Sequence, residues 1–283
     1  MTIFFCKGNE ALHHLTLAGG NELLILMQTW DGVWKYAHYT DFYIGPKNDN
    51  YTLYLSEYSG TAVTVCKTVT PITKAKNCSE VQSQGHSCSG VYTIHPSVNI
   101  QKDVWCDLHT LEGRWTVFQR RKDGSVDFYR RWSDYEHGFG DPTTEYWIGN
   151  EALYHLTLSR GNELLILMQS WDGVWKYAHY TDFYIGSKND NYRLHLSEYS
   201  GSAGNSLLRQ VGYKFSTFGT DNDVWSGSCN PQYHKGGFWF SDCGGSDLNG
   251  YYYSSGINSD DSCHWWKFAG SRESLKTIYM MVR

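Results

Sequence analysis

Residues 8–62 and 149–203 carry almost the same text. Of 55 aligned positions, 47 are identical at a constant offset of 141, and the differences include His13 against Tyr154 and Pro46 against Ser187. A solenoid needs a short unit repeated several times, so that each copy stacks on the next. A single partial copy is a duplicated piece of a larger domain. The chain therefore holds one complete folding unit and one truncated one. The copy ends near Ala62, residues 63–76 read as a linker, and a complete domain is expected over residues 77–283.

The repeated text predicts its own local structure. Asn150 precedes Glu151–Leu156, a short helix with Leu153 and Leu156 on one face. Gly161-Asn162 turns the chain. Leu164–Trp171 suits a buried strand, and Asp172-Gly173 makes a hairpin turn. Val174–Tyr184 returns as a second strand and Arg193–Tyr199 follows as a third. In residues 1–62 these strands have no later text to pair with. A three-stranded meander with one helix is marginal alone, so this part is expected to be less stable than the rest.

Elsewhere Val91–Ile94 and Asp103–Cys106 read as strands. Trp115–Arg121 and Val126–Tyr129 read as a hairpin around Lys122–Ser125. Ser133 with Glu136 forms a capping box for a helix that stops at Gly138. From Tyr213 onward the text is mostly loop, rich in Gly, Asp, Asn, Ser and Tyr. A long loop-rich stretch in a compact domain is usually functional.

Charge and cysteines narrow the function classes. With 24 basic and 29 acidic residues the net charge is −5, which argues against a nucleic-acid partner. The short runs Arg120-Arg121-Lys122 and Arg130-Arg131 lie beside Asp123 and Asp127 and read as a solvated surface. Aromatic residues make up 16%, which argues against disorder. None of the eight cysteines forms a Cys-x-x-Cys pair, so disulfides fit better than structural zinc. Disulfides imply an oxidising, extracellular setting. Asn50-Tyr51-Thr52 and Asn77-Cys78-Ser79 are glycan acceptor triplets consistent with that setting. The first residues lack the pattern of a signal peptide, and no run is long enough to span a membrane. With no Gly-x-Ser-x-Gly and no His-Glu-x-x-His, an enzyme is not expected.

The richest stretch runs from Asp221 to Gly250. Asp221 and Asp223 stand two residues apart, a spacing that suits a hard cation with oxygen ligands such as calcium. Cys229 and Cys243 stand fourteen apart, with Phe238-Trp239-Phe240 before the second. Flat aromatic faces beside a stiffened loop make a recognition surface.

Residues 77–283 resemble a fibrinogen C-terminal-type globular domain, as in ficolins, tachylectins and other fibrinogen-related lectins. The matching text includes Ser89–Ile94, Val104-Trp105-Cys106-Asp107, Gln119–Phe128, Gly138-Phe139-Gly140 and Glu145–Glu151. It ends with Cys243, Ser246 and Asn249-Gly250. The resemblance implies an α+β fold with a twisted, mostly antiparallel sheet, short helices and a loop-rich binding subdomain. It implies disulfides Cys78–Cys106 and Cys229–Cys243. Cys88 and Cys263 are left over within the domain, where they could pair, and Cys6 and Cys66 lie outside it. Calcium would be held by the Asp221 and Asp223 carboxylates and by backbone carbonyls of Trp225 and Gly227.

In similar lectins a pocket for an acetyl group lies beside the second cysteine. Here that pocket would involve Tyr233, Asp242, Cys243 and Gly244, with His264 and Trp265 nearby. Gly244 stands where acetyl-binding members usually carry His. Two further aromatic positions fall on Ser259 and Ser271. The leading expectation is a secreted, calcium-dependent lectin of innate immunity that binds acetylated glycans on microbial surfaces. The alternative is an extracellular signalling or matrix protein of the same fold that binds a protein receptor. The chain has neither Gly-x-y repeats nor heptads to cluster it, which leaves a homo-oligomer open.

Overall fold

The computed structural model describes residues 9–17, 21–28, 34–40, 42–55, 58–60, 73–159 and 161–283. The chain divides into two compact units, Met1–Cys66 and Lys67–Arg283. Cys6, Cys66, the greater part of the expected linker and the first copy's Asp31-Gly32 turn lie outside the described residues.

The first unit contains α1 (Asn9–Thr16), β1 (Leu23–Gln28), β2 (Trp34–Tyr39), β3 (Phe42–Ile44), β4 (Leu53–Leu55) and β5 (Tyr58–Gly60). Its main sheet has the order β1-β2-β5, and β3 pairs with β4. Thr16 ties the helix to the strands, because its hydroxyl accepts the Ile44 N–H at 3.0 Å.

The second unit begins with α2 (Cys78–Ser83), β6 (Gly90–Ser97), β7 (Ile100–Asp107) and β8 (Trp115–Arg121). It continues through α3 (Trp132–His137), β9 (Phe139–Gly140), β10 (Tyr146–Trp147) and α4 (Asn150–Leu156). The duplicated strands follow as β11 (Leu164–Gln169), β12 (Trp175–Tyr180), β13 (Tyr184–Ile185), β14 (Leu194–His195) and β15 (Tyr199–Gly201). The remaining elements are α5 (Cys229–Gln232), β16 (Ser246–Asp247), β17 (His264–Trp265), α6 (Trp266–Ala269) and β18 (Thr277–Val282). A nine-stranded sheet runs β15-β12-β11-β18-β8-β10-β9, with β7 also on β8 and β6 on β7.

Three local expectations are corrected here. Val126–Tyr129 does not return beside β8, whose partners are β7, β10 and β18. The fully buried Glu145 carboxylate accepts N–H bonds from Lys122, Asp123, Gly124 and Val126 at 2.6–3.1 Å, which curls the chain away. Buried Arg121 lies 3.7 Å from Glu145 and covers the Phe128 ring, so the ion that would be costly alone has a partner. Ser133 sits inside α3 rather than capping it, since Arg131 is the N-cap residue and Glu136 pairs with Lys188 instead. The expected third strand of the repeat is split: Leu194–His195 pairs with β13, while Tyr199–Gly201 pairs with β12.

The core of the second unit is aromatic. Phe215 packs against Tyr135, Trp239 and Trp147, with ring centres 5.1–5.8 Å apart. The rings' polar atoms are satisfied as well: Trp239 Nε1 donates to the Tyr192 carbonyl at 2.7 Å, and the Tyr135 hydroxyl donates to Phe128 O at 2.7 Å. Tyr135 also accepts the Gly237 N–H at 2.8 Å, stitching the loop-rich part to the sheet. Disulfides join Cys78 to Cys106 and Cys229 to Cys243, with Cα atoms 5.4 and 5.1 Å apart. Cys88 is disulfide-bonded and Cys263 is a buried free thiol, so these two do not pair with each other.

Candidate functional site

Residues 205–276 contain few regular strands, so their buried backbone groups need other partners. Buried amide side chains supply them. Gln119 donates to Leu248 O at 2.8 Å, Asn249 to Gly237 O at 2.8 Å, and Gln210 to Trp239 O and Ser246 O at 3.1 and 2.8 Å. Each is fully buried and reaches across loops that no ladder joins. At Gly236 an added Cβ would lie 2.0 Å from Asn249 O, so only glycine lets these loops approach.

The Asp221–Cys229 loop is built by alternation. Asn222 turns inward: its side chain donates to Phe215 O at 2.8 Å and its N–H meets Ser216 Oγ at 3.0 Å. Asp221 is exposed and Asp223 half-buried. Asp223 accepts the Trp225 and Cys229 N–H groups at 3.0 and 2.9 Å, while Asp221 accepts the Asp223 N–H at 3.2 Å. Burial, and then the charge of Asp221, push the Asp223 carboxyl above its ordinary pKa. Two carboxylates that repel each other and retain free lone pairs fit a hard cation. Among the described residues no group of three or more His, Cys, Asp or Glu side chains is placed to hold a metal. A cation here would therefore take its other ligands from backbone oxygens and water. The Trp225 indole lies over Gly227, where a Cβ would meet the ring at 2.6 Å. Tyr233, 36% exposed, stands edge-on to Trp225 at 5.3 Å.

The other expected ligand residues are divided between surface and interior. Asp242 is exposed and 3.5 Å from Arg209. Its carboxyl is held below the ordinary range, first by the Ser241 hydroxyl. Cys243 is left-handed at φ 61°, an uncommon conformation off glycine. Gly244 lines a cleft of about 260 Å³ together with Leu208, Arg209, Trp266, Lys267 and Arg272. His264 and Trp265 do not reach that cleft. Both are 1% exposed: Trp265 Nε1 donates to Gly204 O at 2.8 Å, and burial lowers the His264 pKa. Trp265 ends β17 and is buried, whereas Trp266, the first residue of α6, is 43% exposed. Arg272 lies over the Trp266 ring at 5.3 Å and pairs with Asp260.

Arg209, Lys267 and Arg272 are the cleft residues that sequence reasoning missed. They are separated by up to 63 residues and share no motif, so nothing short of the fold brings them together. The result is an aromatic-edged cleft with three basic side chains beside Gly244, and an acidic loop that carries half-buried Trp225 and exposed Tyr233.

A family described as fibrinogen beta and gamma chains, C-terminal globular domain, matches residues 3–73 and 74–283. The chain belongs to the fibrinogen C-terminal domain family. Human angiopoietin-4 is 45% identical over 213 residues, which is 74% of this chain and 42% of that protein. Mouse angiopoietin-related protein 6 is 40% identical over 75% of this chain and 47% of its own length. The chain thus spans less than half of the curated relatives it matches. The solved fibrinogen-like globe domain of human ANGPTL6 superposes with a TM-score of 0.72 at 39% identity, covering 77% of this chain and 98% of that one. These relatives establish the fibrinogen-like globe and its α+β class.

They also overturn the leading functional expectation. The similar proteins are angiopoietins and angiopoietin-related proteins, which are signalling proteins rather than microbial lectins. The reading as a calcium-dependent lectin of innate immunity that binds acetylated glycans is therefore corrected. Among the described residues, no helix is long and apolar enough to cross a membrane.

Proposed function

We propose that the complete domain is an extracellular, non-catalytic signalling module that binds a protein receptor. The similarity to angiopoietins supports the class, and the two disulfides suit an oxidising compartment. The observation that carries the docking surface is the cleft beside Gly244. It sets Arg209, Lys267 and Arg272 around exposed Leu208 and Trp266. Arg and aromatic side chains dominate binding energy where partners exclude water, and basic rims steer an acidic partner. Calcium held by Asp221 and Asp223 would stiffen the neighbouring loop without touching the partner.

Two measurements test this. In surface plasmon resonance against a panel of receptor ectodomains, the Arg209→Glu/Lys267→Glu variant should lose at least about tenfold in affinity for any binder of the wild type. Undiminished binding would refute the cleft. Calcium titrated into the full chain should raise its melting temperature, and should leave that of Asp221→Ala unchanged. An equal response in both would refute the ion's placement.

A further inference from the structure

The two copies of the repeat treat one turn differently. Asn50 and Asn191 are counterparts, and each closes a short 3-10 helix in the left-handed conformation, at φ 52° and 50°. In the complete domain later residues lie over this turn. The Phe215 N–H donates to Asn191 O at 2.9 Å, the Gly212 N–H to Leu194 O at 2.8 Å, and the Leu194 N–H to Tyr213 O at 3.0 Å. The Asn191 side chain is engaged as well, since its Nδ2–H donates to Asn222 Oδ1 at 3.2 Å. All of these covering residues follow Ala203, where the repeated text stops, so the first copy has no counterpart of them.

Exposure follows. Leu194 is fully buried and Asn191 half-buried, whereas Leu53 is 52% exposed and Asn50 is exposed. Tyr43 and Tyr54 stack at 4.3 Å beside the same turn, where the Tyr54 hydroxyl donates to the Asp49 carboxylate at 2.8 Å. The sequence changes at the same place. Arg193 in the complete domain bonds Asp190 and Gly212 O, and Asn191-Tyr192-Arg193 is no acceptor triplet. The first copy has Thr52 at that position, which completes Asn50-Tyr51-Thr52. The other triplet is less open. Asn77 is half-buried, caps α2 by accepting the Glu80 N–H at 2.9 Å, and precedes Cys78, which is buried in a disulfide.

We propose that Asn50 is an N-glycosylation site, and that its sugar covers the face that residues 212–222 cover in the complete domain. Asn50 Nδ2 attacks the anomeric carbon of an oligosaccharide carried on a lipid pyrophosphate. A C–N bond forms, the C–O bond to the pyrophosphate breaks, the lipid pyrophosphate leaves and one amide proton is released. Nothing is oxidised or reduced. The product is bulky and solubilising, which suits a turn beside exposed Leu53 and two exposed tyrosines. Modification requires the extracellular reading above, because the donor is met on the secretory route.

The test uses the full chain, produced behind a leader peptide through the secretory pathway of cultured animal cells. Enzymatic removal of N-glycans in heavy-oxygen water, followed by mass spectrometry, should place the label at Asn50 and leave Asn77 unlabelled. Thr52→Ala should lose the label although Asn50 is intact, and Thr52→Ser should keep it. A bare Asn50 in the secreted wild type would overturn the proposal. So would a label at Asn77 in place of Asn50, or one that persists at Asn50 in Thr52→Ala. The mapping needs only the wild type, so it decides even where a variant fails to fold. Receptor binding is read on the same secreted protein. A bare Asn50 with binding intact sinks the glycan alone, and a glycan at Asn50 with no receptor bound sinks the receptor reading alone.

Discussion

Gln210 offers a sharp test of how the loop-rich part is held. It is fully buried, donates to Trp239 O and Ser246 O at 3.1 and 2.8 Å, and accepts the Ser246 N–H at 3.3 Å. Gln210→Met keeps the volume while stripping three backbone groups of their partner. Each lost bond costs about 1 kcal/mol net, and a stranded buried group about 1–3 kcal/mol, so a total near 3 kcal/mol is expected. In a domain of this size that lowers the melting temperature by roughly 6–12 °C. Thermal unfolding followed by circular dichroism, in non-reducing buffer, reads it directly. A shift below about 2 °C would mean that the stranded groups find other partners at little cost, and the account of buried amides as substitutes for a ladder would fail. Because Gln210 follows Arg209 and lies against Gly245, the same variant should loosen the cleft floor.

Other expectations are briefer. Gly236→Ala places a Cβ against backbone at 2.0 Å and should be among the most damaging glycine substitutions, visible as lost cooperative unfolding. Replacing Cys229 and Cys243 together by Ser frees a 14-residue loop and should cost about 3 kcal/mol in denaturant unfolding. Burial alone would raise the Glu163 pKa, but His179 and Arg283, at 2.9 and 3.0 Å, hold it below the ordinary value. A depressed carboxyl stabilises the fold above its unfolded pKa and stops doing so as acid passes its folded one. Wild type should therefore be more stable than Glu163→Gln at neutral pH, with the gap closing below about pH 4.3 in urea titrations.

Much of the framework was legible because local chemistry and tertiary packing agree. The helix after Asn150, the strand from Leu164 and the hairpin at Asp172-Gly173 follow from apolar spacing and turn residues alone. Where a distant group decides, local reading fails. Val126–Tyr129 alternates like a strand, yet a carboxylate about twenty residues away gathers its neighbouring amides. At the candidate site, Asp221, Asp223 and Tyr233 stand out by residue type. Trp265 and Trp266 look interchangeable in sequence, yet Trp265 ends the buried strand β17 while Trp266 opens α6 and is exposed. The basic cleft has no sequence signature, since Arg209 and Arg272 meet through loops.

The position of β18 has a consequence for biosynthesis. Thr277–Val282 lies between β11 and β8, both of which leave the ribosome before it. The nascent domain therefore has a slot at its centre until β18 emerges, with one edge of Leu164–Gln169 unpaired in the meantime. Chaperone dependence should concentrate in that interval. A premature stop codon at position 277, which removes β18 and whatever follows it, should be as harmful as a much larger truncation.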